Sequence, residues 1–143
     1  MIQGLIETPL SRIKVDGGDV MHGIKKIDPG FNGFGEAYFT WINPGAIKAW
    51  KNHSQMTMNL MVPVGQVRFV FIEHETELNP TFVEIEIGDS NYSRITVPPG
   101  IWFGFQGRGE CPSLALNFSD IQHDPEEVSF LPLEEFHFDW NIS

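Results

Sequence analysis

The stretch MTMNLMVPVGQVRFVFIE, from Met56 to Glu73, decides the class of fold. It contains two runs of apolar and β-branched residues, separated by Pro63 and Gly65. In the second run the side chains alternate between two faces, which is the period of a β-strand. We expect one face to carry Val67, Phe69 and Phe71, and the other to carry Arg68, Val70 and Ile72.

In both directions from this stretch, Pro and Gly separate similar short apolar runs roughly every ten residues. Short, evenly spaced runs of this kind are typical of a β-sandwich or β-barrel. A length of 143 residues fits one domain, so residues 1–143 are predicted to form a single all-β barrel. The predicted strands are Val20–Ile27, Gly35–Ile42, Ile47–His53, Met56–Val62, Gln66–Glu73, Phe82–Ile87, Ser93–Val97, Trp102–Gln106 and Leu114–Ser119.

The composition excludes several classes of function. The formal net charge is −10, with only nine Lys and Arg, so the chain repels phosphate backbones and we expect no binding to nucleic acid. No apolar run approaches the roughly 18 residues of a membrane-spanning helix, so no membrane association is expected. The single cysteine, Cys111, cannot form an internal disulfide, and no charged-then-apolar leader opens the chain, so we expect a cytoplasmic protein.

The predicted strand Ile47–His53 is the first candidate for a functional surface because it carries two lysines and a histidine. Regular alternation would place Lys51 and His53 on one face, and Lys48 with Trp50 on the other. The helical pattern is scarce: Asp124 to Glu127 is predicted to open one turn. The segment from Leu131 to Trp140 is predicted to pack over the barrel rather than inside it.

Several segments in one order resemble the short branch of the dTDP-4-dehydrorhamnose 3,5-epimerase family of the cupin superfamily. The residues Lys48 to His53 stand where that family carries an Arg-Gly-Leu-His signature. The turn Val97 to Phe105 resembles its Pro-x-Gly-x-x-His-Gly-Phe segment. The other similar segments are Leu5–Leu10, Asp16–Asp19, Phe34–Phe39, Asn59–Glu73, Leu116–Glu127 and Phe138–Trp140.

The resemblance implies a cupin-type double-stranded β-helix (a jelly-roll barrel) that is usually a homodimer. It also implies a nucleotide-diphospho-4-keto-6-deoxy-sugar epimerase acting at C3, at C5 or at both. In the family a basic side chain removes a proton alpha to the ketone, a tyrosine returns one from the opposite face, and Arg or Lys holds the diphosphate. No metal or organic cofactor takes part, and the expected partner is a nucleotide-diphosphate sugar.

Carried onto this chain, the family pattern makes His53 the base, with Lys51 beside it to stabilise the enolate, although the register leaves Lys51 as the alternative base. His123 stands where the family has its acid tyrosine, and Phe103 stands where it has a second histidine. The family's orienting aspartate follows its Trp-Asn segment, and because this chain stops at Ser143 the orienting carboxylate is either missing or supplied from elsewhere in the chain. The candidate substrate-binding residues are Lys48, Arg68, Asn59, Trp102 and Asn117.

Three alternatives stay open at this stage. A sugar-nucleotide 3,4-ketoisomerase uses the same enolisation, but the Gly-x-x-His-x-His pattern of those enzymes is absent here. A non-catalytic carbohydrate-binding cupin would explain the missing tyrosine and histidine. Each candidate residue also has a structural interpretation, as a surface ion, a loop cap or a packed aromatic side chain. Metal binding is not expected, because His53 has no His two positions away.

Overall fold

The structure, a computed structural model, describes residues 2–74 and 79–141, together with all their side chains except that of residue 74. No α-helix occurs in the described residues, which form β-strands, turns and one 3₁₀ turn at Leu133–Glu135. The strands are β1 (Ile6–Pro9), β2 (Arg12–Ile13), β3 (Val20–Met21), β4 (Glu36–Ile42), β5 (Ile47–His53), β6 (Met58–Val64), β7 (Gln66–His74), β8 (Thr81–Gly88), β9 (Ser93–Val97), β10 (Phe103–Gly107), β11 (Ser113–Ser119) and β12 (Val128–Phe130).

Two five-stranded antiparallel sheets make up the body of the protein. The first sheet has the strand order β1-β9-β6-β11-β4, and the second has the order β12-β5-β10-β7-β8. Strands β2 and β3 form a separate hairpin. Strands that are distant in sequence, such as β5 and β10, become neighbours, which is how side chains far apart in the chain can meet in one site.

The main apolar core lies between the two sheets. On β7 the alternation predicted from the sequence is confirmed, because Val67, Phe69 and Phe71 belong to this core. Val70 and Ile72 belong to a different cluster on the outer face of the second sheet. The face of β7 that carries Phe69 is buried by the opposite sheet. The face that carries Val70 is buried by the C-terminal segment.

The C-terminal segment covers the outer face of the second sheet, as predicted. Trp140 packs with the buried Trp50 at 5.5 Å between ring centroids, and Phe136 meets Trp50 edge-on at 5.4 Å. The indole N–H of Trp50 donates to the carbonyl of Leu133 at 3.1 Å. This aromatic layer fixes the outer side of β5, whose inner side carries the candidate catalytic residues.

The all-β prediction is confirmed, but one predicted strand is much shorter, three strands were missed, and most other boundaries differ by one or two residues. The predicted strand Val20–Ile27 ends at Met21, because the following residues form a turn in which Asp28 accepts from the backbone N–H of Lys25 at 2.7 Å. Strands β1, β2 and β12 were not predicted. The turn predicted at Asp124 is present, with the Asp124 carboxylate accepting from the N–H of Glu126 at 3.0 Å, and it leads into β12 instead of a helix.

Candidate active site

A β-bulge in β5 decides which side chains face the interior. Lys51 pairs with Phe103 and Ala49 pairs with Gly104, so the register shifts and one residue of β5, Trp50, is extra. Lys48 then pairs with Phe105. Because both phenylalanines contact the main core, both lysines lie on the inner face. The expectation that Lys48 shares a face with Trp50 is therefore wrong: the bulge inverts the alternation at that point.

Gly104 is the residue that admits the bulge. A Cβ atom at this position would lie 2.5 Å from the Cβ of Ala49 and 3.2 Å from a ring carbon of Trp50. Real side chains do not approach this closely, so only glycine fits opposite the extra residue. The Phe103-Gly104-Phe105 segment and the bulge of β5 thus form one local unit that points Lys48 and Lys51 inward.

A cavity of about 450 Å³ opens beside these lysines. This volume lies in the range of small-molecule binding sites. A second, smaller cavity of about 60 Å³ shares Thr40, Lys51, Phe103 and Phe105 with the first. The remaining lining residues of the large cavity are Lys48, Ala49, Trp50, Phe130 and Leu131. Those of the small cavity are Tyr38, Met58, Leu60, Ala115 and Asn117.

His53 and Glu127 form a buried pair next to this cavity. The Nδ1 atom of His53 lies 2.5 Å from Oε2 of Glu127, and both side chains are only 3% exposed. The other carboxylate oxygen accepts from the backbone N–H groups of Met56 at 2.9 Å and Gln55 at 3.2 Å. The carboxylate that orients the histidine therefore comes from the turn before β12.

The protonation states of this pair follow from its surroundings. Burial lowers the pKa of His53, against the hydrogen bond and charge of Glu127, so its imidazole is neutral at pH 7. Burial alone would raise the pKa of Glu127, but the hydrogen bonds from His53, Met56 and Gln55 outweigh it and lower that pKa. A neutral imidazole that donates from Nδ1 to a carboxylate carries its lone pair on Nε2. That Nε2 atom is buried and has no hydrogen-bond partner among the described residues.

Lys51 reaches both cavities from the inner face of β5. Its Nζ atom lies 5.7 Å from the ring centroid of Phe130, an exposed aromatic residue on the neighbouring β12. Burial lowers the pKa of Lys51, and the nearby Lys48 lowers it further, while Glu127 acts in the opposite direction. A lysine with a lowered pKa in a cavity can act as a proton acceptor as well as a cation.

Tyr38 stands on the first sheet and lines the small cavity, which it shares with Lys51. Its hydroxyl accepts a hydrogen bond from the side-chain amide of Asn117 at 2.9 Å. Burial raises the pKa of Tyr38, so the phenol remains protonated at neutral pH. A phenol and a base on opposite walls of one cavity can serve the two faces of a substrate. The sequence interpretation did not single out Tyr38, although the alternation of β4 places it on the same face as Thr40.

His123 does not line either cavity. It lies in the exposed loop before the Glu127 turn, and its backbone N–H donates to Oε1 of Glu36 at 2.9 Å. Its charge is close enough to lower the pKa of His53. His123 is therefore not placed to act as the predicted acid on a molecule in either cavity. Tyr38 does line the small cavity and is the alternative candidate for that role.

Arg68 and Trp102 lie on the far side of the second sheet from the cavity. Arg68 donates to the side chain of Gln106 and to the carbonyl of Trp140, both at 2.5 Å. Its guanidinium also packs 5.4 Å from the ring centroid of Phe138. Trp102 belongs to the same outer aromatic layer. The structure does not bring these two predicted substrate-binding residues together with the lysines, because alternation along β7 points Arg68 outward.

The two predicted asparagines lie on opposite faces of the first sheet. Asn117 faces the interior and lines the small cavity with Tyr38. Asn59 faces outward, donates to the carbonyl of Gly30 at 3.0 Å and accepts from Nε of the buried Arg94 at 3.1 Å. Asn59 therefore anchors the loop that covers the outer face of this sheet.

Within the part of the chain that the structure describes, no group of three or more His, Cys, Asp or Glu side chains is arranged to hold a metal ion. The described residues also contain no helix that could cross a bilayer.

Two facing antiparallel sheets with an interior cavity define the class of this protein: it is a cupin-type jelly-roll barrel. No protein-family profile matches the chain. The chain is similar to a solved dTDP sugar isomerase from Desulfovibrio desulfuricans G20, with 33% identity and a TM-score of 0.89 over 97% of this chain and 92% of that one. It therefore belongs to the dTDP-4-dehydrorhamnose 3,5-epimerase-like family of sugar-nucleotide isomerases, as the sequence resemblance implied.

Two further proteins are similar to this chain. A probable low-salt glycan biosynthesis epimerase, Agl13 of Haloferax volcanii, is 32% identical over 95 residues. The match covers 64% of this chain and 60% of the length of that relative. A solved 3,5-epimerase from Legionella pneumophila, in complex with dTDP-4-keto-L-rhamnose, shares the fold with a TM-score of 0.80 at 17% identity, covering 100% of this chain and 81% of that one.

Proposed function

We propose that the protein epimerises a nucleotide-diphospho-4-keto-6-deoxy sugar at C3, at C5 or at both, by removing a proton alpha to the ketone. The observation that carries this proposal is one cavity in which ionisable side chains from two sheets meet: Lys51 from the second sheet and Tyr38 from the first. His53, which lies on the same strand as Lys51, forms a buried pair with Glu127 from the turn before β12.

The chemistry requires these residue types. A proton next to a ketone is far too weak an acid to leave at pH 7 without a positioned base and a stabilised enolate oxygen. The group formed by Lys51, His53 and Glu127 supplies proton acceptors and a cation in a partly desolvated place. Tyr38, whose pKa is raised by burial, keeps its proton at neutral pH and can return one to the carbanion from the other wall.

Lys48 is the residue that we propose for the diphosphate. It faces the interior through the bulge and lines the large cavity. Nucleotide-diphosphate sugars are the proposed partners because the solved relative from Desulfovibrio desulfuricans is a dTDP sugar isomerase. A role in carbohydrate biosynthesis follows from the relative in Haloferax volcanii, which is named as a glycan biosynthesis epimerase. A homodimer, a cytoplasmic location and the absence of any cofactor remain predictions from the sequence and its resemblance.

The test is solvent isotope exchange. The protein is incubated with dTDP-4-keto-6-deoxyglucose in D₂O, and deuterium at C3 and C5 of the sugar is followed by NMR. Uptake at either carbon, with formation of the inverted sugar, is the expected result and identifies the carbon that is epimerised. Formation of a 3-keto sugar would assign the protein to the 3,4-ketoisomerases instead. Binding of the nucleotide sugar without any uptake would make it a non-catalytic carbohydrate-binding cupin.

A further inference from the structure

We propose that Lys51, and not His53, is the side chain that removes the substrate proton. This inference rests on the proposed function and specifies the base of that reaction. It assigns to this chain an amine base in a place where the family pattern has an imidazole.

The first step of the argument is accessibility. A general base must come within hydrogen-bond distance of the proton that it removes. Lys51 lines both cavities, whereas His53 lines neither. The Nε2 atom of His53 is completely buried, and the ring stacks against Phe103 with 6.2 Å between centroids. A substrate in the described cavity meets the amine first.

The second step is the register. The bulge at Trp50 makes Lys48 and Lys51, three residues apart, face the same way. Without the bulge, residues three apart on a strand would lie on opposite faces. The pair therefore presents one cation and one base side by side in the large cavity. His53, two residues further along, shares the inner face but lies deeper, where β5 pairs with Val128 at the start of β12.

The third step concerns the charges around Lys51. Lys48 and His53 lie on its own strand, Glu127 precedes β12, and Tyr38 faces it from the first sheet. Glu127 is the group in this set that favours the ammonium, and His53 already engages it at 2.5 Å. Burial and Lys48 favour the neutral amine. The surroundings of Lys51 thus shift its pKa in the direction that a base requires.

The proposed step conserves protons and electrons. The lone pair of neutral Lys51 takes the proton from the carbon next to the ketone, and the electrons of the C–H bond move to the carbonyl oxygen to give an enolate. Tyr38 then donates its proton to the opposite face of the same carbon, and the ketone re-forms. The ammonium of Lys51 then releases its proton to solvent through the cavity that it lines, and the phenolate of Tyr38 is reprotonated from solvent, so that both side chains return to their starting states.

The experiment measures deuterium exchange in Lys51→Met, His53→Gln and a matched surface control, Lys26→Met, which removes an exposed lysine from the loop before Pro29. We expect Lys51→Met to lose exchange by about 10³-fold, within the range typical of a general base. His53→Gln should retain measurable exchange, and its pH profile should still follow the titration of an amine. Lys26→Met should behave as the wild type.

Chemical rescue provides the second readout. Small primary amines added to Lys51→Ala should restore part of the exchange, and imidazole added to His53→Ala should not. The inference is overturned if His53→Gln abolishes exchange while Lys51→Met keeps it within tenfold of the wild type, or if imidazole rescues His53→Ala and amines fail on Lys51→Ala. If the wild type itself shows no exchange, it is the proposed function that fails.

Discussion

Replacing Glu127 with alanine is the most informative perturbation of the buried pair. The side chain of Glu127 is 3% exposed and accepts three hydrogen bonds, from His53 Nδ1 and from the backbone N–H groups of Met56 and Gln55. Alanine would leave the donors of His53 and Met56 buried without an acceptor, and the half-buried N–H of Gln55 would also lose its partner. Each buried donor that loses its acceptor costs about 1–3 kcal/mol, so we expect a loss of about 3–5 kcal/mol of unfolding free energy in total. For a domain of this size the midpoint of thermal unfolding should fall by roughly 10 °C.

The pH dependence of this effect has a definite sign. The pKa of Glu127 is lowered in the folded protein from its ordinary value of 4.5. A depressed carboxyl pKa contributes stability that is fully present above the unfolded-state value and is lost as the pH falls through the folded-state value. The difference between wild type and Glu127→Ala should therefore be constant near neutral pH and should narrow below pH 4.5.

The assay is urea unfolding followed by Trp fluorescence, because Trp50 and Trp140 are buried. Glu126→Ala is the matched control: it removes an exposed glutamate from the same turn and should change the unfolding free energy by less than about 0.5 kcal/mol. Equal stability of the two variants at pH 7 would refute the reasoning, since it would mean that the three hydrogen bonds to Glu127 contribute nothing net. If the difference in unfolding free energy between the wild type and Glu127→Ala stayed constant below pH 4.5, the assignment of Glu127 as an ionised carboxylate would be contradicted.

Three further variants test other parts of the site. Tyr38→Phe should keep deuterium exchange but lose the inverted product by about 10²-fold in an NMR product assay, because the opposite proton donor is gone; unchanged inversion would return the acid role to His123. Gly104→Ala should cost about 1–3 kcal/mol in urea unfolding, because its Cβ would overlap Ala49. Arg68→Met should destabilise by about 2 kcal/mol, and the Kd for the nucleotide sugar by calorimetry should stay the same, since Arg68 lies outside the cavity.

The parts of the fold that were predictable are those set by local pattern. The alternation of Val67, Phe69 and Phe71 is a property of consecutive residues, and each face finds an apolar neighbour in the structure. The outward packing of the C-terminal segment follows from its mixture of aromatic and acidic residues. Short strands such as β2 carry too few residues for any periodicity to be visible.

The parts of the site that were not predictable depend on residues distant in the chain. The facing of Lys48 is decided by Gly104, which admits the bulge from the neighbouring strand. Glu127 lies 74 residues from His53 in the sequence. Its local sequence predicts a turn, and nothing in that pattern indicates that its carboxylate orients an imidazole. Nothing in the pattern around Arg68 distinguished a wet interior face from an outer face covered by the end of the chain.

The field of the whole protein opposes its proposed ligand, which makes the salt dependence of binding a separate test. The net charge is −10 and a nucleotide diphosphate is itself an anion, so the approach of the ligand is repelled at long range. At physiological salt the screening length is about 8 Å. The positive charges of Lys48 and Lys51 therefore outweigh the negative field of the protein only within the cavity that they line. Stopped-flow association should therefore accelerate as salt rises from about 0.01 to 0.15 M, the opposite of steered binding. An association rate that falls with salt would show that the two lysines attract the ligand from outside the barrel.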